Sequence, residues 1–192
     1  MSVLASGVER HRFDVAEYHR MLEVGLLAED DRVELIRGEI VDKAPIEARY
    51  LACVTKLNHL LVEQARGRYF VSVQNPVGAV DNSEPQPDSS LLRKLPDPNA
   101  GSPPSKEDTF VVIEVSDTTL SYDRDVKLPL YAETGMQEAW IVDLQNRRIE
   151  VYTEPAPDGY RAMRIFGAGE RIRSGEIEDI SVAVDEVIGE AS

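Results

Sequence analysis

The chain has one cysteine, one tryptophan and three histidines in 192 residues, and it contains no long apolar run. Each scarcity excludes something. A lone Cys53 can neither close an internal disulfide nor build a Cys-rich zinc site, and its place in an apolar helical pattern predicts a buried structural thiol. His11, His19 and His59 form no HExxH arrangement, and neither GxSxG nor a phosphate-binding glycine-rich loop occurs. Zinc-protease, serine-hydrolase and phosphate-loop chemistry therefore lack their residues. "GAGERI" has two glycines but does not complete a dinucleotide fingerprint. No stretch approaches the roughly eighteen apolar residues of a membrane helix. The start, "MSVLASGVERHRF", lacks the apolar core and cleavage pattern of a signal peptide. A cytoplasmic protein is the expectation.

Basic residues are scarce as well, 21 Lys and Arg against 35 Asp and Glu, for a net charge of −14. That balance disfavours a protein that coats nucleic acid non-specifically, because such binding rests on many cationic contacts to phosphate. The excess is uneven: residues 1–80 carry 10 basic and 12 acidic groups, residues 81–192 carry 11 and 23. Exposed charges more than about 8 Å apart are screened at physiological salt, so the total does not decide what any one cleft binds.

What the chain does have is a hydrophobic content of 42%, enough for one good core and a single domain over residues 1–192. Asp14 and Glu17 have capping-box spacing ahead of Val15, Tyr18, Met21 and Leu22, which predicts a first helix. "RVELIRGEIVDKA" alternates on both sides of Arg37-Gly38, as a β-hairpin does. Leu51, Val54, Leu57, Leu61 and Ala65 recur at helical intervals from Ala48 to Arg66, with Gly67 as a stop. "YFVSVQNPVGAV" and "DSSLLR" read as strands, and Leu95 to Asp108 reads as a loop. "TFVVIEVS" has the unbroken apolar character of a strand covered on both faces. A second helix is expected from near Val126 to Glu133, with Pro129 in its first turn. "EAWIVDL", "RIEVYT" and short segments between Tyr160 and Val184 complete an α/β pattern of helices on a sheet.

Three Pro-Asp dipeptides punctuate the chain. Pro96-Asp97 and Pro157-Asp158 sit among other turn formers and read as turns. Pro87-Asp88 instead opens an apolar run. Twenty-six residues later, Glu114 interrupts the most hydrophobic strand. A carboxylate there costs several kcal/mol unless it is paired, hydrogen-bonded or bound to metal. Were Asp88 brought beside it, two like charges at ~4 Å would repel by about 4 kcal/mol at an effective dielectric near 20. A divalent cation turns that repulsion into a site, and hard oxygen ligands suit Mg²⁺. Lys127 is the candidate positive charge beside an activated water; near a helix start the dipole disfavours a cation, which argues against a purely structural lysine. Each has a plainer alternative: a turn acid for Asp88, an ion pair with Arg124 for Glu114, a solvated lysine for Lys127. Glu34 is a candidate extra ligand, Gln86 a candidate for orienting water, and Tyr131 shares the face of Lys127. The helix segment with Arg49, Lys56, Arg66, Arg68 and His59 against Glu63 could track a nucleic-acid backbone, although a solvated outer face is the plainer and favoured reading.

"ELIRGEIV", "NSEPQPDSSLL", "VVIEVSDTTLSYDRDVKLPLYAETG" and "EAWIVDL" together resemble the Uma-two family of restriction endonucleases, within the PD-(D/E)XK nuclease superfamily, over roughly Phe13 to Tyr152. The resemblance implies a restriction endonuclease-like α/β fold: a mixed central sheet flanked by helices, with an N-terminal helix and hairpin and a C-terminal β extension. It implies Asp88, Glu114 and the backbone carbonyl of Val115 as ligands to Mg²⁺ (Mn²⁺ as substitute), phosphodiester cleavage in DNA, and a homodimer. Ser116 stands where the superfamily's lysine belongs, so Lys127 is its replacement or the lysine is lost. Family members often carry histidine where Tyr50 stands. Two other readings stay open: a catalytically silent nucleic-acid-binding or interaction module of the same fold, and a metal-dependent hydrolase of a small phosphodiester.

Overall fold

A computed structural model describes residues 9–28, 30–78, 80–94 and 103–189. The first eight residues, Pro96-Asp97 and the Leu95–Ser102 part of the expected loop lie outside them. The fold divides into two compact units, Met1–Lys43 with Ala79–Pro85, and Ala44–Gly78 with Gln86–Ser192.

In the first unit, α1 (Val15–Glu23) starts where its capping box predicts: the Asp14 carboxylate accepts from the Glu17 N–H, and Glu17 accepts from the Asp14 N–H. The hairpin is β1 (Val33–Ile36) and β2 (Glu39–Asp42), antiparallel. Its turn holds Arg37 at φ 51° and Gly38 at φ 76°, the left-handed pair that a tight hairpin requires. A small core of Tyr18, Val33 and Leu35 joins helix to hairpin. Glu34 is buried in β1, not facing solvent as alternation on a free hairpin would suggest, and its negative charge, together with that of Glu84, adds to burial in raising the Tyr18 phenol.

The second unit is built on a six-stranded mixed sheet. Its strands, in spatial order, are β3 (Tyr69–Ser72), β4 (Ser89–Arg93), β5 (Thr109–Ser116), β6 (Glu138–Asp143), β7 (Arg148–Ala156) and β8 (Gly159–Phe166). Only β5 and β6 are parallel, so only their connection needs a crossover, and helical segments supply it. Alternation along β5 and β6 sorts the faces. Val111, Ile113, Val115, Trp140 and Val142 belong to one core cluster, with α2 (Ala48–Ala65); Val112, Ala139 and Ile141 belong to the other, beneath Leu128 and Tyr131. This is why "TFVVIEVS" shows no alternation: both faces are covered. β9 (Arg171–Arg173), β10 (Ser181–Ala183) and α5 (Val184–Ile188) form the C-terminal extension. It is tied to the sheet through buried Glu138, whose carboxylate accepts from Trp140 Nε1 at 2.5 Å, Gly175 N at 2.8 Å, Ser174 Oγ at 3.1 Å and Glu176 N at 3.3 Å.

Some expectations need correction. The strand expected through Val80 stops at Ser72, because Gln74 turns to φ 52° and Pro76 has no N–H for a ladder. α2 ends as foreseen, with Arg66 and Gly67 left-handed, but Leu51 is exposed and Cys53 takes its place in the core. Helical structure after β5 begins well before Val126. It runs from α3 (Leu120–Tyr122) through a π-helical stretch (Asp123–Lys127) into α4 (Leu128–Thr134), with Pro129 in the first turn of α4 and left-handed Gly135 closing it. Pro157-Asp158 is the β7–β8 turn, as expected. Among the described residues no helix is long and apolar enough to cross a membrane.

Candidate active site

Asp88 immediately precedes β4, and the antiparallel register Ser89↔Ile113, carried one residue further, sets Asp88 across from Glu114. Both are buried. One Asp88 oxygen, Oδ2, accepts from the Val115 N–H at 2.8 Å, and the other, Oδ1, accepts from the Tyr50 hydroxyl. Tyr50, in the first turn of α2, in turn accepts from Gln74 Nε2 at 2.8 Å. Burial above all, then the charges of Asp88 and Glu114, raise the Tyr50 phenol well above its usual range. The phenol therefore stays protonated and senses both carboxylates.

Glu114 leaves β5 on the face covered by the helical segment. Its Oε1 lies 2.7 Å from Lys127 Nζ and accepts from the Tyr131 hydroxyl at 2.6 Å. Lys127 and Tyr131 do share a face, as their spacing predicts. Lys127 Nζ also donates to the backbone carbonyl of Gln86 at 3.4 Å; here it is the Gln86 main chain that meets the site. The expected dipole argument for Lys127 fails, because helix precedes it; a π-helical turn sits there instead, closed by Leu128 N–H bonding back to Asp123 O. Such turns are frequent at functional sites. Arg124 is not the partner of Glu114: it forms an ion pair with Glu150, with its Nε donating to Glu150 Oε2 at 2.9 Å, and approaches Asp143 at 3.7 Å.

Ser116 donates to Asp123 Oδ2 at 2.6 Å, and Thr119 donates to the same oxygen at 2.7 Å. Burial raises the Asp123 carboxyl above its ordinary range. The Ser116 bond, the Lys127 charge and the Thr119 bond pull it back, and the Asp88 charge pushes it up again. Tyr50 feels Asp88 and Glu114, and Asp123 feels Lys127 and Asp88, so these groups converge at one end of the sheet. Tyr50, Gln74 and Asp123 had no motif to flag them; for Tyr50 the only signal was the residue that relatives carry there.

Of the basic residues on and after α2, Arg49 donates to the Leu144 carbonyl and lies 3.5 Å from Asp117, while Arg68 pairs with Asp179. Lys56, His59, Glu63 and Arg66 are exposed. Glu34 belongs to the first unit. Among the described residues no three His, Cys, Asp or Glu side chains cluster to hold a metal ion. A cation bound by Asp88 and Glu114 would need backbone or water oxygens to complete its shell, the usual habit of Mg²⁺. Two buried carboxylates are hard donors, and their chemistry fits Mg²⁺ or Mn²⁺.

The sequence profile of the Uma2 family, described as "Putative restriction endonuclease", matches residues 15–185. The chain belongs to the Uma2 family. The match runs beyond Tyr152, so the extension with β9 and β10 is part of the family's domain. A solved structure, of a "putative nuclease belonging to DUF820" from Anabaena variabilis ATCC 29413, is similar at 15% identity, with 86% of this chain and 95% of that chain covered and a TM-score of 0.65. That likeness shows the fold: a central mixed sheet flanked by helices. No curated protein sequence matches the chain. As a Uma2 member the chain is of restriction nuclease type.

Proposed function

We propose that this Uma2 protein is a Mg²⁺-dependent endonuclease that hydrolyses phosphodiester bonds in DNA. The observation that carries the reading is the buried Lys127–Glu114 pair at 2.7 Å, near the strand end where buried Asp88 immediately precedes β4. A purely structural design would fill that position with apolar side chains at no desolvation cost. Asp88, Glu114 and the Val115 carbonyl would hold the ion, and Glu34 is an accessory carboxylate. When bound, such an ion neutralises phosphate charge and makes a water more acidic.

The chain's own groups do the rest. Val115 N–H and the Tyr50 hydroxyl orient the Asp88 carboxylate, and Tyr131 orients that of Glu114. The Lys127 ammonium, held by Glu114 and the Gln86 carbonyl, would set its positive charge beside the attacking water and the scissile phosphate, where it holds its proton at Nζ as a donor. Burial keeps bulk water from screening that charge. A second copy of the chain would supply the cut in the opposite strand.

Plasmid and oligonucleotide cleavage with Mg²⁺ or Mn²⁺ tests the reading, with Asp88→Asn, Lys127→Met and Glu34→Gln beside wild type. Loss of cleavage by at least about 100-fold in the first two variants is expected. Cleavage that survives Asp88→Asn refutes the assignment. Tight DNA binding without cleavage under any metal favours the silent module. Activity on dinucleotides alone favours the small-phosphodiester hydrolase. An unchanged Glu34→Gln rate removes Glu34 from the set.

A further inference from the structure

Asp88 is gripped at both carboxylate oxygens. The Val115 N–H donates to Oδ2 at 2.8 Å and the Tyr50 hydroxyl to Oδ1. Behind the hydroxyl stands Gln74, whose Nε2 donates to Tyr50 Oη at 2.8 Å and whose N–H donates to the Asp88 carbonyl at 3.3 Å. A donor on the phenolic oxygen makes its O–H a stronger donor in turn, so the three groups form a polarised chain. Gln74 also holds φ at 52°, a region that non-glycine side chains seldom adopt. Such outliers persist where surrounding contacts over-determine them, and they gather at functional sites. Here the side chain so placed meets Tyr50.

We propose that Tyr50 is a positioning residue for Asp88, and that Gln74 acts on Asp88 through Tyr50. The inference rests on the magnesium-site reading and names the device that tunes it. With one donor on each oxygen, the carboxylate is held in one orientation about its terminal bond, and each oxygen keeps a lone pair for a cation. Groups that orient a metal ligand in this manner change affinity by about 10–100-fold when removed. A hydroxyl that merely competes with a cation for the oxygen acts in the opposite direction: its removal tightens binding. The sign of the change therefore separates the two.

The experiment is calorimetric titration of Mn²⁺ and Mg²⁺ into the full chain, with no substrate, for wild type, Asp88→Asn, Tyr50→Phe, Gln74→Leu and Tyr50→Phe/Gln74→Leu. Melting temperatures are recorded on the same samples. Tyr50→Phe is expected to weaken Mn²⁺ binding about 10–100-fold. Gln74→Leu should weaken it less, and the double variant should match Tyr50→Phe, because a residue that acts through another adds nothing once that other is gone. Equal or tighter binding by Tyr50→Phe, with Asp88→Asn abolished, overturns the positioning role and leaves the metal reading standing. Additive losses in the double variant overturn the Gln74 relay. A wild-type chain that binds neither ion overturns the metal reading and this inference together.

Discussion

Replacing Lys127 by methionine removes one charge of a buried pair while keeping the volume of the stem. The ammonium is 3% exposed at the residue level and Glu114 is 4% exposed, so solvent cannot compensate the carboxylate left behind. Breaking such a pair from one side costs about 3–5 kcal/mol, because the surviving charge remains desolvated. The Tyr131 hydroxyl at 2.6 Å softens the loss and favours the lower end. In a domain of this size about 1 kcal/mol shifts the melting temperature by about 2–4 °C, so Lys127→Met should melt about 6–12 °C below wild type. Glu114→Gln should lose a similar amount, since it strands the lysine. Glu114→Gln/Lys127→Met removes both charges and should recover at least half of a single variant's loss, so that its destabilisation falls far short of the sum of the two single losses. The assay is thermal unfolding at neutral pH in low salt, with cleavage measured in parallel. Stability should return in the double variant while cleavage stays absent, which separates folding from chemistry. A Lys127→Met protein within about 2 °C of wild type would refute the claim that this pair is a buried, mutually dependent unit.

Asp123 gives the pH prediction. Its folded carboxyl titrates above the ordinary 3.8, with burial as the main cause, so the folded state binds its proton more tightly than the unfolded chain does. The stability it contributes is complete below the ordinary value and is lost as pH rises through the folded one. Asp123→Asn should flatten the melting temperature over that interval, seen by thermal scans from about pH 3 upward. Glu138→Ala should destabilise by about 2–4 kcal/mol by stranding buried donors, measured by urea unfolding followed through Trp140 fluorescence. The Cys53 thiol, pushed up to about 12 chiefly by burial, should resist a thiol-specific reagent near pH 8 until denaturant is added.

How much of this was legible in the sequence follows from how local each cause is. The capping box at Asp14 and Glu17, the left-handed turn at Arg37-Gly38 and the stop at Gly67 are decided within four residues, and each was readable. The centre of the sheet was legible as well, because only a doubly covered strand tolerates "TFVVIEV". The helical start at Leu120 was hidden. Ser, Asp and Arg dominate "SYDRDVK", its apolar periodicity is broken by the π-helical turn, and a period of 3.6 cannot register a segment with one extra residue in its turn. The Tyr50–Asp88 bond links residues on a helix and before a strand, 38 positions apart, and no local pattern records it. Arg124 misled for a similar reason: in sequence it is the arginine nearest Glu114, yet β7 brings Glu150 to it first.

Under the proposed function, Ser116 and Lys127 are read as a pair. Along a strand, residues i and i+2 share a face and lie roughly 6.5 Å apart, so a lysine at 116 would rise beside Glu114 from the strand itself. This chain sends the ammonium down from the overlying helix instead, and a group arriving from another element needs that element held in place. The small side chain at 116 does so: its hydroxyl binds Asp123, four residues before Lys127, and Thr119 closes on the same oxygen. Strand and helix are thereby joined at Asp123 and again at Lys127–Glu114, one contact at each end of the π-helical turn. The extra residue in that turn keeps both contacts in reach, and Pro129, which has no N–H to give, removes a hydrogen bond that a regular helix would have demanded there. On the proposed nuclease reading, the absent lysine at 116 and the present one at 127 would be one solution to one placement problem.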